Sequence, residues 1–224
     1  MEGSHKLSSA RVSSGPSLFM CKNDMDKEVE STTSMFADDT KIIRPLLQES
    51  DRKILQLDLE KLMRWTKMWQ MKFNVDKCSV LHFGYNNPRY KYVMDGRYLQ
   101  SKEEEKDLGV YVNTTMKFSK QCVESVKKAN RVIGIIRRNF TNFDKNVLLN
   151  LYKSLVRPHL DYAVQVWKPY LKKDINLMES VQRRMTRLIP GMKEKTYEER
   201  LKELNLMSLE QRHIRQDLLS AYFL

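Results

Sequence analysis

Two adjacent carboxylates, Asp38 and Asp39, follow Phe36-Ala37 in a stretch where threonines and β-favouring apolar residues dominate, residues 31–43. That pattern reads as a β-hairpin with both acids at its turn. Asp is frequent in turns for backbone reasons alone. The surroundings add something more. The chain carries 40 Lys and Arg against 28 Asp and Glu, a net charge of +12. Two crowded acids repel each other unless a cation neutralises them. Two-metal phosphoryl-transfer sites use such pairs to hold divalent ions about 3.5–4 Å apart, where the ions clamp the attacking and leaving oxygens. Magnesium is the hard ion expected for oxygen ligands.

A second set of residues suits a polyanion. On a helix over residues 117–140, Lys120, Lys127, Arg131 and Arg138 fall within about 40° of one another at ~100° per residue. Phe118, Cys122, Ala129, Val132, Ile133 and Ile136 fall broadly on the other side. One face is therefore for packing and the other is cationic, interrupted by Glu124. A cationic face can track phosphates, and it can equally be an ordinary solvated surface. Arg183, Arg184 and Arg187 with Lys193 and Lys195 form another basic cluster. Trp167 and Tyr170 flank Lys168 and could stack on bases, although a large aromatic such as Trp167 more often packs in a core.

Other chemistries have little support. Cys21, Cys78 and Cys122 have neither zinc nor redox spacing and fit buried or incidental thiols of a reducing compartment. The four histidines are dispersed without ligand spacing. Only 7 glycines argue against a Gly-rich nucleotide-binding α/β domain. No apolar run approaches the ~20 residues of a membrane span, and the first thirty or so residues lack a signal-peptide core. An intracellular protein of nucleus or cytoplasm is expected, with no membrane partner. The oligomeric state is left open.

The elements that must position these residues can be read along the chain. Residues 1–17 are small and polar and read as a loose, disordered leader. A short helix is expected over 18–26, then the acidic hairpin. A helix opening near Ser50-Asp51 carries Leu55, Leu59, Leu62, Trp65 and Trp69 at intervals of 4, 3, 3 and 4, which is one apolar stripe. It should end by Asn74. Strands follow over 77–83, 90–93 and 108–112. From Lys117 the pattern is helical, with breaks near Thr141-Asn142, Pro158 and Pro190-Gly191. The expected fold class is α+β, with a mixed part up to about residue 115 and an all-helical part after it.

In that order the motifs resemble the reverse transcriptases of non-LTR (LINE-type, jockey-like) retrotransposons. Phe36-Ala37-Asp38-Asp39-Thr40-Lys41 resembles their aromatic-Ala-Asp-Asp motif. Trp65 through Trp69-Gln70-Met71-Lys72-Phe73-Asn74, Lys77-Cys78 and Leu81-His82-Phe83-Gly84 resemble the helix and strand that follow it. Asp107-Leu108-Gly109-Val110 resembles the strand nearest the primer grip. Tyr152 through Ala163 and on to Trp167 resembles the helical region beyond the palm. Gly15-Pro16, Leu18-Phe19, Asn23-Asp24 and Asp26 resemble the segment before the hairpin. The likeness covers residues 14–217.

The resemblance implies a partial right-hand polymerase: an antiparallel palm sheet with a packed helix over 18–115, then a helical, thumb-like region over 116–224. It makes Asp38 a metal ligand and Asp39 its supporting neighbour, with Mg2+ as the ion. Phe36 would pack near the growing end. Lys72 and Lys77 would contact nucleic-acid backbone, and the partners would be an RNA template and a DNA primer. The family also uses a third carboxylate on an earlier palm strand, and fingers that precede it. Here the acids before Asp38 are Glu2, Asp24, Asp26, Glu28 and Glu30, none of which takes that place. A truncated RNA-directed DNA polymerase, inactive alone, is therefore expected. The alternative is a non-catalytic nucleic-acid-binding helical module derived from it.

Overall fold

The computed structural model describes residues 7–13, 28–36, 39–140 and 144–222. The protein mixes helix and sheet, and its chain divides into two compact units. The first comprises residues 1–106 with 112–116, the second residues 107–111 with 117–224.

The first unit is built on a five-stranded sheet in the order β2-β3-β1-β4-β7. Its strands are β1 (Leu7–Ser13), β2 (Thr32–Phe36), β3 (Asp39–Pro45), β4 (Ser79–Phe83) and β7 (Gln100–Lys102). β2 pairs antiparallel with β3, β3 with β1, and β1 with β4. The β4 to β7 pairing is parallel, so the sheet is not purely antiparallel as expected. The acidic segment does form a hairpin, with Phe36 paired to Asp39.

Residues 7–13 correct the expectation of a disordered leader. This Ser-rich segment, Leu-Ser-Ser-Ala-Arg-Val-Ser, is the middle strand of the sheet. Its composition offers no hydrophobic alternation to read. What recruits it is backbone: β3 and β4 each present a row of N–H and C=O groups that need partners, and a strand between them satisfies both rows. The helix expected over 18–26 lies outside the described residues.

Helix α1 (Glu49–Met68) covers one face of that sheet. Asp51 sets its start by accepting the Leu47 and Gln48 N–H groups, both at 2.9 Å. Those bonds, that from Gln48 above all, hold its carboxyl below the usual range against the opposing effect of burial. Leu55, Leu59, Leu62 and Trp65 are buried as the stripe requires and pack with Ile42, Val80, Tyr92, Met94 and Leu99. The helix ends six residues before the expected limit, at Met68. Gln70 at φ +52° turns the chain away, which leaves Trp69 44% exposed.

The strands after α1 are shorter than their sequence suggests. Residues 75–77 form a 3-10 turn, so β4 begins at Ser79. Residues 90–92 are not strand. They lead into β5 (Val93–Met94), paired with β6 (Arg97–Tyr98). Gln56 pins β5 to α1 by accepting the Val93 N–H and donating to the Val93 carbonyl, both at 2.9 Å. β8 (Glu104–Asp107) and β9 (Val110–Asn113) form a two-stranded hairpin, and the division between the units runs through it. Its turn is Leu108-Gly109, both at positive φ, so the expected strand starts two residues late.

The second unit is helical beyond Lys117. It contains α2 (Ser119–Asn139), α3 (Lys145–Leu151), α4 (Pro158–Asp161), α5 (Val164–Trp167), α6 (Lys172–Leu188), α7 (Tyr197–Glu203) and α8 (Leu209–Tyr222). Before Pro158 the chain widens into a π-turn, Tyr152–Val156, where the Arg157 N–H reaches the Tyr152 carbonyl at 2.9 Å. Proline cannot donate the next α-helical bond, and the wider turn accommodates that loss. Trp167 is fully buried and donates to the Tyr162 carbonyl at 2.8 Å, so it is a core residue and no stacking platform. The break expected at Thr141-Asn142 lies outside the described residues.

Candidate functional site

Of the acid pair, Asp39 is described and Asp38 lies outside the described residues. Asp39 opens β3, facing Phe36 across the hairpin and Ser13 on β1. Along β3, Thr40 and Ile42 are buried while Asp39 and Lys41 are half-buried. Alternation therefore places Asp39 on the sheet face away from α1, with Lys41 next along that face. Phe36 is 61% exposed.

The register decides what else stands at this end. Ser13 of β1 lies opposite Asp39, and Arg11 lies opposite both Lys41 and Ser79. The start of β4 is thus at the same end of the sheet as Asp39. Lys77, two positions before Ser79, belongs to that end and is exposed. Lys72 is exposed in the segment after α1. Neither lysine has an acidic partner among the described residues.

Among the described residues the donor set does not complete a two-ion clamp. β1 brings no Asp or Glu beside Asp39, and no cluster of three potential metal ligands exists among the described residues. Asp58 is a buried carboxylate that sequence reading missed, and it is fully committed elsewhere. It accepts from the Ser31 hydroxyl at 2.6 Å, the Ser31 N–H at 2.9 Å and the Glu30 N–H at 3.1 Å. Those groups precede β2, at the opposite end of the hairpin from Asp39, roughly 15–20 Å away at ~3.4 Å per residue. Asp58 thus anchors the start of β2, the hairpin partner of β3, without joining Asp39. A polar residue inside the Leu55-Leu59-Leu62 stripe was its one visible signal.

In the second unit the cationic face of α2 is exposed. Lys120, Lys127, Arg131 and Arg138 all stand in solvent, while Cys122, Ala129, Ile133 and Ile136 are buried beneath them. Lys120 lies 4.8 Å from the centre of the Tyr111 ring. Lys127 pairs with Glu124 at 2.8 Å, and this bond holds the Glu124 carboxyl below its usual range. The acid that interrupts the stripe therefore neutralises one of its members.

The Asp161 motif is also organised. Asp161 accepts from Arg212 at 2.8 Å and from His213 at 3.2 Å. Burial would raise its carboxyl, but those two hydrogen bonds and the Arg212 charge outweigh burial and hold it low. The buried Cys122 thiol is pushed up to about 12, chiefly by burial and then by Asp174, which makes it inert.

No family model matches the chain. It is 25% identical over 177 residues to the RNA-directed DNA polymerase from mobile element jockey of Drosophila melanogaster, covering 75% of this chain and 19% of that protein. It is 26% identical over 176 residues to the RNA-directed DNA polymerase from mobile element jockey of Drosophila funebris, covering 73% of this chain and 18% of that one. The chain thus spans about a fifth of the length of the curated relatives it matches. Over some three quarters of its own length, this protein is similar to a portion of the RNA-directed DNA polymerase of jockey mobile elements.

Proposed function

We propose that these residues are the palm and thumb portion of a non-LTR retrotransposon reverse transcriptase, with residues 18–115 together with the strand at 7–13 as palm and 116–224 as thumb. The similarity to two jockey polymerases carries this reading. In it, Asp38 and Asp39 are metal ligands for Mg2+, and the substrates are an RNA template and a DNA primer. Lys72 and Lys77 contact the nucleic-acid backbone from the palm, and the exposed face of α2 does so from the thumb.

Alone, the chain binds nucleic acid and does not extend primers. β1, the strand paired beside Asp39, brings no further carboxylate to the pair. Losing a group that stabilises the transition state costs about 3–4 kcal/mol, some two to three powers of ten in rate. Primer extension by the purified chain with magnesium or manganese is the test. The expected outcome is no synthesis. Template-dependent synthesis that disappears in Asp38→Ala would overturn the claim of inactivity.

A second reading, a binding module with no catalytic role in any assembly, is favoured by the solvent-exposed basic face of α2. Supplying the upstream half of a jockey-type polymerase in trans separates the two. Restored synthesis supports the palm reading, and unchanged binding without synthesis supports the module.

A further inference from the structure

Arg200, on α7, is only 6% exposed. Its buried Nε has no hydrogen-bond partner, and its guanidinium makes no ion pair among the described residues. The Tyr197 ring lies beside it, 5.7 Å from Cζ to centroid. The same ring receives Arg183 from α6 at 5.0 Å. An ionised group taken out of water without a counter-charge is costly, and a cation–π contact returns only about 2 kcal/mol when desolvated.

Three carboxylates of α6 and α7 have other partners. Glu179 accepts from the Leu209 N–H and the Tyr197 hydroxyl. Glu199 accepts from the N–H and hydroxyl of Thr196. Glu203 pairs with Lys145 and Lys195. Arg200 instead lines an open concavity of about 440 Å3 with Arg183, Arg184, Arg187 and Leu188. Of these arginines, only Arg184 has a hydrogen-bond partner among the described residues, Asn130 at 3.4 Å. Four permanently charged, fork-shaped donors meet here with no acid among the lining residues.

We propose that Arg183, Arg184, Arg187 and Arg200 form a pocket for a phosphate group, filled by a phosphodiester of a bound nucleic-acid strand. Guanidinium pairs suit phosphate because two parallel N–H groups meet two oxygens. The three α6 arginines were visible in the sequence as a cluster. Arg200 joins them only in the fold, and it is the buried member that makes the cluster a site. The pocket rests on this geometry, and its occupant rests on the functional reading above.

The experiment is a titration of the purified chain with inorganic phosphate, followed by phosphorus NMR at constant ionic strength. Saturable binding is expected. Arg187→Gln, at an exposed position, should weaken it about tenfold, the worth of one charge-assisted hydrogen bond, without changing the melting temperature. Absence of binding, or equal binding by Arg187→Gln, would overturn the pocket. Arg200→Met supplies a second readout: in phosphate-free buffer its melting temperature should equal or exceed the parent's, because an unpaired buried charge is gone. A clear drop would show the charge already satisfied and count against the proposal.

A short single-stranded oligonucleotide is then added. Release of bound phosphate supports the phosphodiester occupant. Oligonucleotide binding without release overturns that occupant, assigns the pocket to free phosphate and leaves the functional reading standing. Phosphate binding with no oligonucleotide binding at all leaves the pocket standing and removes the functional reading.

Discussion

The Tyr162 hydroxyl donates a 2.8 Å hydrogen bond to the Leu108 carbonyl, and its ring occupies the space that a side chain on Gly109 would enter. Two segments far apart in sequence, Asp107-Leu108-Gly109 and Leu160-Asp161-Tyr162, are thereby held together in the second unit. Gly109 sits at φ +87°, and an added Cβ would lie 3.3 Å from Tyr162 Cε1. Both its backbone angle and its missing side chain are required.

Gly109→Ala should therefore destabilise the second unit by about 1–3 kcal/mol, through left-handed strain together with the tight approach. Tyr162→Phe, which removes one bond from a half-exposed hydroxyl, should cost only about 0.5 kcal/mol. Urea unfolding measures both. A Gly109→Ala midpoint equal to the parent's would show that the turn is not held as described.

Asp161 links stability to acidity. Its folded-state carboxyl is held below the ordinary 3.8. The sign follows directly: a depressed carboxylate contributes stability that is present above its unfolded value and lost as pH falls through its folded value. The parent's melting temperature should therefore decline below about pH 4, and Asp161→Asn should flatten that decline. At neutral pH the variant should be less stable by about 2 kcal/mol, because Arg212 and His213 lose a charged acceptor. An unchanged acid limb in Asp161→Asn would remove Asp161 from this role.

The α2 face makes a prediction in salt. A phosphate contact contributes about −0.7 to the slope of log affinity against log salt for a single strand. Arg131→Gln and Arg138→Gln should each reduce the slope by about that amount. Lys127→Gln should do less, since Lys127 is paired with Glu124. Asp38→Asn with Asp39→Asn should leave the slope unchanged. Filter binding over a salt series checks all of these, and equal slopes in every variant would make the face merely solvated.

Asp58 and Asp39 should behave oppositely. Asp58→Ala leaves two backbone N–H groups and a hydroxyl without their acceptor, so a loss of about 3 kcal/mol is expected, with faster amide exchange at Ser31. Asp39→Asn, on a half-buried position at the end of a strand, should change stability by less than about 0.5 kcal/mol. Equal losses would mean that Asp39 is a structural acid.

Local chemistry was readable wherever it repeats at short range. The spacing of Leu55, Leu59, Leu62 and Trp65 announces the buried side of α1, because its period is set by backbone geometry within a few residues, and the β-favouring residues that flank Asp38 and Asp39 announce a hairpin. The two faces of α2 follow from the same rule. Helix ends and short strands were harder, since Gln70, Leu108 and Gly109 turn the chain at positive φ, which composition signals weakly.

What the sequence determined by itself is thus the type of each periodic element and the identity of its chemically active side chains. Only the tertiary structure decided which strand flanks Asp39, that Asp58 anchors the far end of the hairpin, and that Arg200 closes a ring of arginines. Each of those depends on residues brought together from distant parts of the chain by backbone pairing or burial. Neither of these leaves a periodic trace in the amino acids they unite.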